Sequence, residues 1–193
     1  VCGVIGCASV VPPDVEFASA RCQTVLDDNV EGLPTYDIAA ILERTNPDGT
    51  PNTYTAYDMD AMRLAVSELN NGNDVAGHHF RVRVCDTRSF WYTGGGQATR
   101  DMANWLIDHE HVQAIISNAS ADTADIASVA VSKGVVVMAL SSTAEALTYL
   151  ADKDLVWRVS PSDVYQGAVL AQMITPTIAA DATIAVIHVN SPY

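Results

Sequence analysis

The chain has 193 residues, 49% of them hydrophobic, and a formal net charge of −13 at pH 7. The acidic balance argues against nucleic acid as a partner, because binding to phosphates requires clustered Lys and Arg, and the ten basic residues of this chain are scattered. No apolar run approaches the length of a membrane span, while the hydrophobic content is ample for a packed core.

Residues 1–34 are predicted to form an extended N-terminal appendage with little regular structure. They contain Cys2, Cys7 and Cys22, whereas the fourth cysteine, Cys85, ends a predicted strand. An even number of cysteines with three in a loop-rich segment favours disulfides and an oxidising compartment. Four cysteines allow three pairings. We expect at least one disulfide to tie down the appendage by joining Cys22 to Cys2 or Cys7, with Cys85 available to anchor the other.

Beyond the appendage, apolar runs alternate with helical patterns. Runs without polar alternation indicate strands buried on both faces, and they are found at residues 36–42, 112–117 and 135–140. Residues 80–85 alternate apolar side chains with Arg81 and Arg83, which predicts a strand with one less buried face. Two further strands are predicted at 155–159 and 183–189. Helices are predicted at residues 55–70, 97–109, 144–150 and 160–176, and one more opens near Asp122 and ends at Lys133. This order predicts an α/β fold with an open parallel sheet and helices on both faces.

Two neighbouring strands deliver polar turns to one edge of this sheet. Asn118-Ala119-Ser120 follows the strand at 112–117, and Ser141-Ser142-Thr143 follows the strand at 135–140. In open α/β sheets ligands bind at the carboxyl edge of the strands, where helix N-termini favour carboxylates or phosphates. Ser120 and Ser142 also fit ordinary helix caps, and Ser142 with Glu145 has the spacing of a capping box.

The motifs that would indicate an enzyme are incomplete. The strand at 36–42 is followed by Glu43-Arg44-Thr45-Asn46 instead of the glycine fingerprint of dinucleotide binding. Gly94-Gly95-Gly96 lacks the Lys-Ser/Thr ending of a phosphate-binding loop. Neither His109-Glu110-His111 nor the cysteines have the spacing of a metal site. The sequence therefore predicts no catalysis, no metal and no cofactor.

Four segments, taken in order, resemble the type I periplasmic solute-binding proteins, in particular the branched-chain amino acid (Leu/Ile/Val) receptor group of ABC transporters. They are DMDAMRLAVSELN at 58–70, GVVVMALSSTAEALT at 134–148, WRVSPSDVYQG at 157–167 and IAVIHVNSPY at 184–193. The resemblance extends from about residue 36 to residue 193. It implies two α/β lobes that close on a small ligand, commonly an amino acid, like a hinged trap.

The resemblance also implies which residues contact the ligand. Ser120, in the turn that begins at Asn118, is expected to give its hydroxyl to the ligand carboxylate. Thr143 and the backbone at Ser141 and Ser142 are expected to bind carboxylate or ammonium. Aromatic side chains are expected over the ligand at two further positions, Tyr54 and Tyr193.

On this basis we expect an N-terminal appendage at 1–34, a ligand-binding lobe at 35–159 and the incomplete start of a second lobe at 160–193, so that the chain is a fragment. The resemblance implies an exported protein, periplasmic or extracellular, with lipid anchoring as an option. It would capture an amino acid or related carboxylate for the membrane permease of an ABC transporter. Two alternatives stay open, namely the ligand-sensing domain of a signalling receptor and a flavodoxin-like enzyme.

Overall fold

One sheet organises the part of the chain that the computed structural model describes, residues 13–27, 32–72, 77–88, 96–179 and 181–185. Its strands, in chain order, are β1 Thr24–Leu26, β2 Thr35–Leu42, β3 His79–Asp86, β4 Ala114–Ser117, β5 Val136–Ala139 and β6 Val156–Arg158. The spatial order is β1-β3-β2-β4-β5-β6. Strands β2 to β6 pair in parallel, and β1 pairs antiparallel with β3 at one edge. The predicted parallel α/β sheet is therefore confirmed.

Helices cover both faces of the sheet, as predicted. They are α1 Pro13–Arg21, α2 Thr53–Gly72, α3 Gly96–Asp108, α4 Ser120–Lys133 and α5 Asp163–Ile174, with a 3₁₀ helix at Glu145–Tyr149. Helices α1, α3 and α4 share a core on one face, and α2 packs on the other. No helix within the described ranges has both the length and the apolar character that crossing a membrane requires.

The core beneath α3 and α4 explains why the central strands of the sheet have unbroken apolar sequences. Ile41, Ile115 and Val137 come from three neighbouring strands and are fully buried against Met102 and Leu106 of α3. Strand side chains alternate between the two faces of a sheet. Since both faces are covered, both sets are apolar.

Helix α2 buries one stripe of side chains at helical spacing. Met59, Met62 and Val66 pack on the opposite face of the sheet, because their helical spacing places them on one side of α2. The helix begins two residues earlier than expected because the side chain of Asn52 accepts a hydrogen bond from the N–H of Tyr54 at 3.0 Å. As a result no acidic residue lies in its first turn.

The expectation of an extended N-terminal appendage is wrong for the residues that the structure describes. Residues 13–21 form α1, which packs on α3, and residues 24–26 form the edge strand β1. Ala18 and Cys22 join the core under α3, and Leu26 joins the core under α2. The segment therefore belongs to the same sheet and cores as the lobe.

The expected cysteine pairing is also wrong. Cys22 is bonded to Cys85 of β3, not to Cys2 or Cys7, because β1 brings the end of α1 alongside β3. Cys2 and Cys7 lie outside the described residues. The disulfide does anchor the N-terminal segment, but it anchors the segment to the sheet instead of joining two cysteines within the segment.

The chain after β6 differs from the core in burial. Helix α5 follows its N-cap Ser162, whose hydroxyl accepts from the N–H of Val164 at 3.5 Å, and no α5 side chain is buried. Residues 181–185 are not in a strand, so the start of the strand expected at 183–189 is not formed, and its remainder lies outside the described residues. The boundaries at residues 34 and 159 remain predictions.

Candidate ligand-binding site

The carboxyl edge of the sheet contains a topological switch point. The chain leaves β2 for its neighbour β3 on one side and later enters β4 on the other side. In sheets with this order, ligands bind in the crevice where the direction of the strand order reverses. The turns after β4 and β5 lie at this edge, and they are the turns that the sequence singled out.

Buried hydroxyl groups join these two turns. Ser142 Oγ lies 2.7 Å from Thr123 Oγ1, which lies 2.6 Å from Ser117 Oγ. All three side chains are fully buried. At the surface, Ser141 Oγ donates to the carbonyl of Asn118 at 2.7 Å. Both the buried hydroxyl contacts and the surface hydrogen bond link the turn after β4 to the turn after β5. The two turns therefore have a fixed separation.

Ser120 contributes to the same link instead of capping α4. The N-cap is Ala119, which has extended backbone and makes no side-chain capping bond. Ser120 Oγ accepts a hydrogen bond from the N–H of Ala144 at 3.3 Å, and the residue is 6% exposed. The interpretation of Ser120 as an ordinary cap is therefore wrong.

The predicted capping box at Ser142 is wrong for the same reason. Its hydroxyl bonds Thr123 inside the protein, so it is not available to cap the following helix. That helix is a 3₁₀ helix at Glu145–Tyr149 whose N-cap, Ala144, makes no side-chain capping bond. Tertiary contacts between the turns replace the local bonds that the spacing suggested.

The two turns present backbone N–H groups without acceptors. The first helical bond of α4 runs from the N–H of Thr123 to the carbonyl of Ala119 at 2.9 Å. Among the described residues, the N–H groups of 120–122 and of 141–143 have no hydrogen-bond acceptor. A helix N-terminus of this kind carries a partial positive charge. The arrangement can bind an anion through two sets of backbone donors.

A buried carboxyl group lies beside this helix start. Asp122 is 4% exposed, and its Oδ1 accepts from Thr99 Oγ1 at 3.0 Å. Its Oδ2 has no hydrogen-bond partner among the residues that the structure describes. Burial raises the pKa of Asp122 to about 6; the Thr99 hydrogen bond opposes this shift, while the carboxylates of Glu43 and Asp125 add to it. The sequence indicates only that Asp122 lies near the start of a helix, because the packing of α3 over it is not a local property.

Asn118 connects the first turn to α2. Its Nδ2 donates to Asp58 Oδ2 at 3.2 Å, and its buried Oδ1 has no partner among the described residues. Thr143 in the second turn likewise has a buried hydroxyl with no partner in the described part of the chain, while its carbonyl accepts from the N–H of Asp163 at 2.9 Å. Both predicted site residues thus retain unused polar atoms. The role of Asp58 was missed, because only the meeting of α2 with the turn reveals it.

The structure brings five of the seven predicted ligand residues together in the two turns. Asn118, Ser120, Ser141, Ser142 and Thr143 lie in the two joined turns. Tyr54 lies in the first turn of α2 and is 82% exposed. Tyr193 lies outside the described residues.

Arg158 was not predicted to take part, but it supports the second turn. Its guanidinium donates to the carbonyl of Ala144 at 3.0 Å and to Thr148 Oγ1 at 2.5 Å. A cleft of about 150 Å³ lies beside it, with Trp157 and Asp152 in its lining. In the described part of the chain, no group of three or more His, Cys, Asp or Glu side chains is placed to hold a metal ion.

A parallel sheet with this strand order and a polar carboxyl edge offers a crevice in which a ligand can bind. The sequence agrees, since residues 57–177 match the family described as the receptor family ligand binding region. This match covers more than half of the chain, and the chain belongs to that family. A comparison with curated proteins gives no match.

Solved structures with the same fold are substrate-binding proteins of ABC transporters. One is from Desulfitobacterium hafniense, with a TM-score of 0.59 and 22% identity over 74% of this chain and 39% of that chain; the same values hold for its complex with Leu. Another is a solute-binding protein from Rhodopseudomonas palustris BisB5 in complex with 3,4-dihydroxybenzoic acid. It has a TM-score of 0.58 and 16% identity, and the match covers 74% of this chain and 36% of that chain.

These comparisons confirm the resemblance at the level of fold and family. The fold is that of the type I periplasmic solute-binding proteins, and the family and the structural neighbours are binding proteins. The chain spans 39% of the length of the first protein named above.

Proposed function

We propose that this chain forms the ligand-binding lobe of an extracytoplasmic solute-binding protein, which captures an amino acid or related carboxylate for the permease of an ABC transporter. The observation that carries the proposal is the uncapped start of α4 beside the turn at 141–143. Six backbone N–H groups there have no acceptor among the described residues, and they belong to two turns that hydroxyl contacts hold together.

A carboxylate is the group that this arrangement suits best. Backbone N–H groups at a helix N-terminus favour anions, and hydrogen bonds to a charged group each contribute about 1.5–3 kcal/mol. The two ligands named for the structural neighbours, Leu and 3,4-dihydroxybenzoic acid, both carry a carboxyl group. Because the donors are fixed before the ligand arrives, little ordering cost accompanies binding.

Within this proposal the predicted residues divide into two groups. Ser120 and Ser142 position the turns, since their hydroxyls bond to protein atoms. Asn118 and Thr143 contact the ligand through their side chains, and Ser141 contacts it through its backbone N–H. Tyr54 covers it from this lobe, and Tyr193 from the second lobe, which begins after β6.

The compartment and the partner follow from the same proposal. The buried Cys22–Cys85 disulfide fits an oxidising, extracytoplasmic environment. The exposed apolar residues of α5, among them Leu170 and Met173, fit a helix that is covered by the remainder of a second lobe. Closure of two lobes would then exclude water and complete the site.

The sensing domain of a signalling receptor is the second candidate. The family description, a receptor ligand-binding region, favours it, and both functions use the same ligand site. Deletion of the gene separates them. Loss of uptake of a labelled ligand supports the transporter, whereas intact uptake with a lost transcriptional or behavioural response supports the receptor.

The direct test is to identify what the protein binds. Mass spectrometry of small molecules released from the purified full-length protein should find an amino acid or similar carboxylate in roughly stoichiometric amount. A thermal-shift panel of amino acids and aromatic acids provides the independent check. Absence of a released carboxylate together with no response to any panel member would contradict the proposal.

A further inference from the structure

The carboxyl group of Asp122 has a fixed position relative to the proposed ligand. The backbone N–H of this residue is one of the donors at the uncapped start of α4 that have no acceptor among the described residues. Its side chain leaves the same residue toward Thr99 of α3, and only the α and β carbons separate the N–H from the carboxyl group. A ligand carboxylate that accepts from this N–H therefore lies within about 8 Å of the Asp122 carboxyl group.

The surroundings of Asp122 compensate a negative charge there poorly. The side chain is buried, and its Oδ1 accepts a hydrogen bond from the neutral hydroxyl of Thr99. Its Oδ2 has no hydrogen-bond partner in the described ranges, and the ion pairs formed within those ranges involve other acids. A buried charge without a counter-charge is costly, so the protonated carboxyl group suits this position better.

The charged groups that face Asp122 from neighbouring elements strengthen this preference. Glu43, in the loop after β2, and Asp125, one turn further along α4, both repel a negative charge on Asp122. Arg100 of α3 pairs with Asp125 instead of Asp122. Burial is the largest cause, and with these two acids it raises the pKa of Asp122 to about 6 against the opposing hydrogen bond from Thr99. Both protonation states are therefore accessible near neutral pH.

A bound carboxylate would remove the remaining support for the charged form of Asp122. Free N–H groups at the start of a helix stabilise a nearby negative charge, and Asp122 is an acid in the first turn of α4. A ligand carboxylate that accepts from these N–H groups neutralises much of their positive potential. It also places a second negative charge beside Asp122, and two like charges in a desolvated site raise the pKa of one of them.

We infer that Asp122 takes up a proton when a carboxylate ligand binds at the start of α4, so that this lobe captures its ligand more tightly at acidic than at alkaline pH. The inference rests on the proposed function and adds a pH-dependent control to the same site. The proton comes from the solvent, and no covalent bond to the ligand forms. The side chain of Asp122 acts by setting the charge beside the ligand carboxylate.

The test is calorimetry on the full-length protein with L-leucine and the other amino acids of the thermal-shift panel. Amino acids without ionisable side chains keep the same charge between pH 5.5 and 7.5, so a change in their affinity belongs to the protein. The affinity should fall roughly tenfold over this range. Titrations at pH 7 in buffers of different ionisation enthalpy should show uptake of roughly half a proton or more for each ligand bound.

Asp122→Asn keeps the side-chain shape and the acceptor for Thr99 but cannot take up the proton. It should abolish the proton uptake and bind at pH 7.5 about as tightly as the unmodified protein binds at pH 5.5. Asp60→Asn is the control, because the Asp60 side chain is 73% exposed and pairs with Arg63 at 2.8 Å. It should leave both the pH profile and the proton uptake unchanged.

Thr99→Val provides a second variant that retains the carboxyl group. Loss of the hydroxyl removes the hydrogen bond that favours the charged form, so the fall in affinity should move to higher pH. A purely structural role of Thr99 would instead weaken binding equally at every pH.

Two results would overturn the inference while the proposed function stands. One is amino-acid binding to the unmodified protein with the same affinity from pH 5.5 to 7.5 and no proton uptake. The other is a pH dependence that persists unchanged in Asp122→Asn. Failure of every amino acid and aromatic acid of the panel to bind at any pH would contradict the carboxylate site, and the inference with it.

Discussion

The hydroxyl of Ser120 accepts a hydrogen bond from the backbone N–H of Ala144, with 3.3 Å between oxygen and nitrogen. This bond joins the start of α4 to the turn that follows β5. Both residues are buried, at 6% and 4% exposure. Two turns that belong to different strands are thereby held at one separation, which is the condition for both to contact one ligand.

Replacement of Ser120 by Ala should therefore destabilise the fold as well as the site. The buried N–H of Ala144 would lose its acceptor, so the free energy of unfolding should fall by about 1–3 kcal/mol in urea denaturation. Ser128→Ala on the exposed side of the same helix is the control, because its hydroxyl donates only to the carbonyl of Asp125. It should change stability by no more than about 0.5 kcal/mol. Equal losses in the two variants would show that the Ser120 bond contributes nothing.

The buried carboxyl of Asp122 should make stability depend on pH. Burial raises its pKa from 3.8 to about 6, so the folded protein binds this proton more tightly than the unfolded chain. The contribution of Asp122 to the free energy of unfolding is then fully present below about pH 4 and decreases as the pH rises to about 6. Asp122→Asn should remove this decrease and raise stability at pH 7 by up to about 3 kcal/mol.

Urea denaturation at pH 4, 5, 6 and 7 measures this difference. Asp181→Asn is the control, because Asp181 is exposed and its substitution should leave the pH profile unchanged. A constant difference between Asp122→Asn and the unmodified protein across this range would mean that Asp122 does not titrate there.

The Cys22–Cys85 disulfide should account for much of the stability of the N-terminal segment. The two residues are separated by 63 positions, and a loop of this size corresponds to about 4 kcal/mol in the chain-entropy model. The double substitution Cys22→Ala and Cys85→Ala should lower the free energy of unfolding by about this amount. It should also make α1 and β1 sensitive to limited proteolysis.

Thiol labelling supplies the independent check on this disulfide. After unfolding without reductant, a peptide map should find Cys22 and Cys85 unlabelled and linked to each other. Labelling of both residues under these conditions would contradict the pairing.

Most of the parallel sheet could be predicted because each strand is recognisable from its own run of apolar residues. Ile41, Ile115 and Val137 lie in unbroken apolar runs, and a strand covered on both faces requires such runs. The buried stripe of methionines in α2 is likewise recognisable from the spacing of residues within that one segment. Strand β1 could not be predicted, because its three residues show no period of their own and are held by pairing with β3.

The candidate site was predictable only in part for the same reason. Two serine-rich turns after buried strands indicate where a ligand binds, and the structure places both at one edge. The sequence does not reveal that Ser120 bonds to Ala144 instead of capping α4. Nor does it reveal that Asn118 meets Asp58, sixty residues earlier in the chain. Such contacts depend on how separate elements pack.

The measurement that tests the central claim most directly is a backbone amide NMR titration of the isotopically labelled full-length protein, with the amino acid that stabilises it most in the thermal-shift panel. We expect the largest chemical-shift changes in this lobe at the amides of 120–122 and 141–143, which have no hydrogen-bond acceptor in the described part of the chain. The amides around the cleft beside Arg158, such as Asp152 and Trp157, should change little. Changes concentrated at that cleft, with none in the two turns, would contradict the assignment of the site.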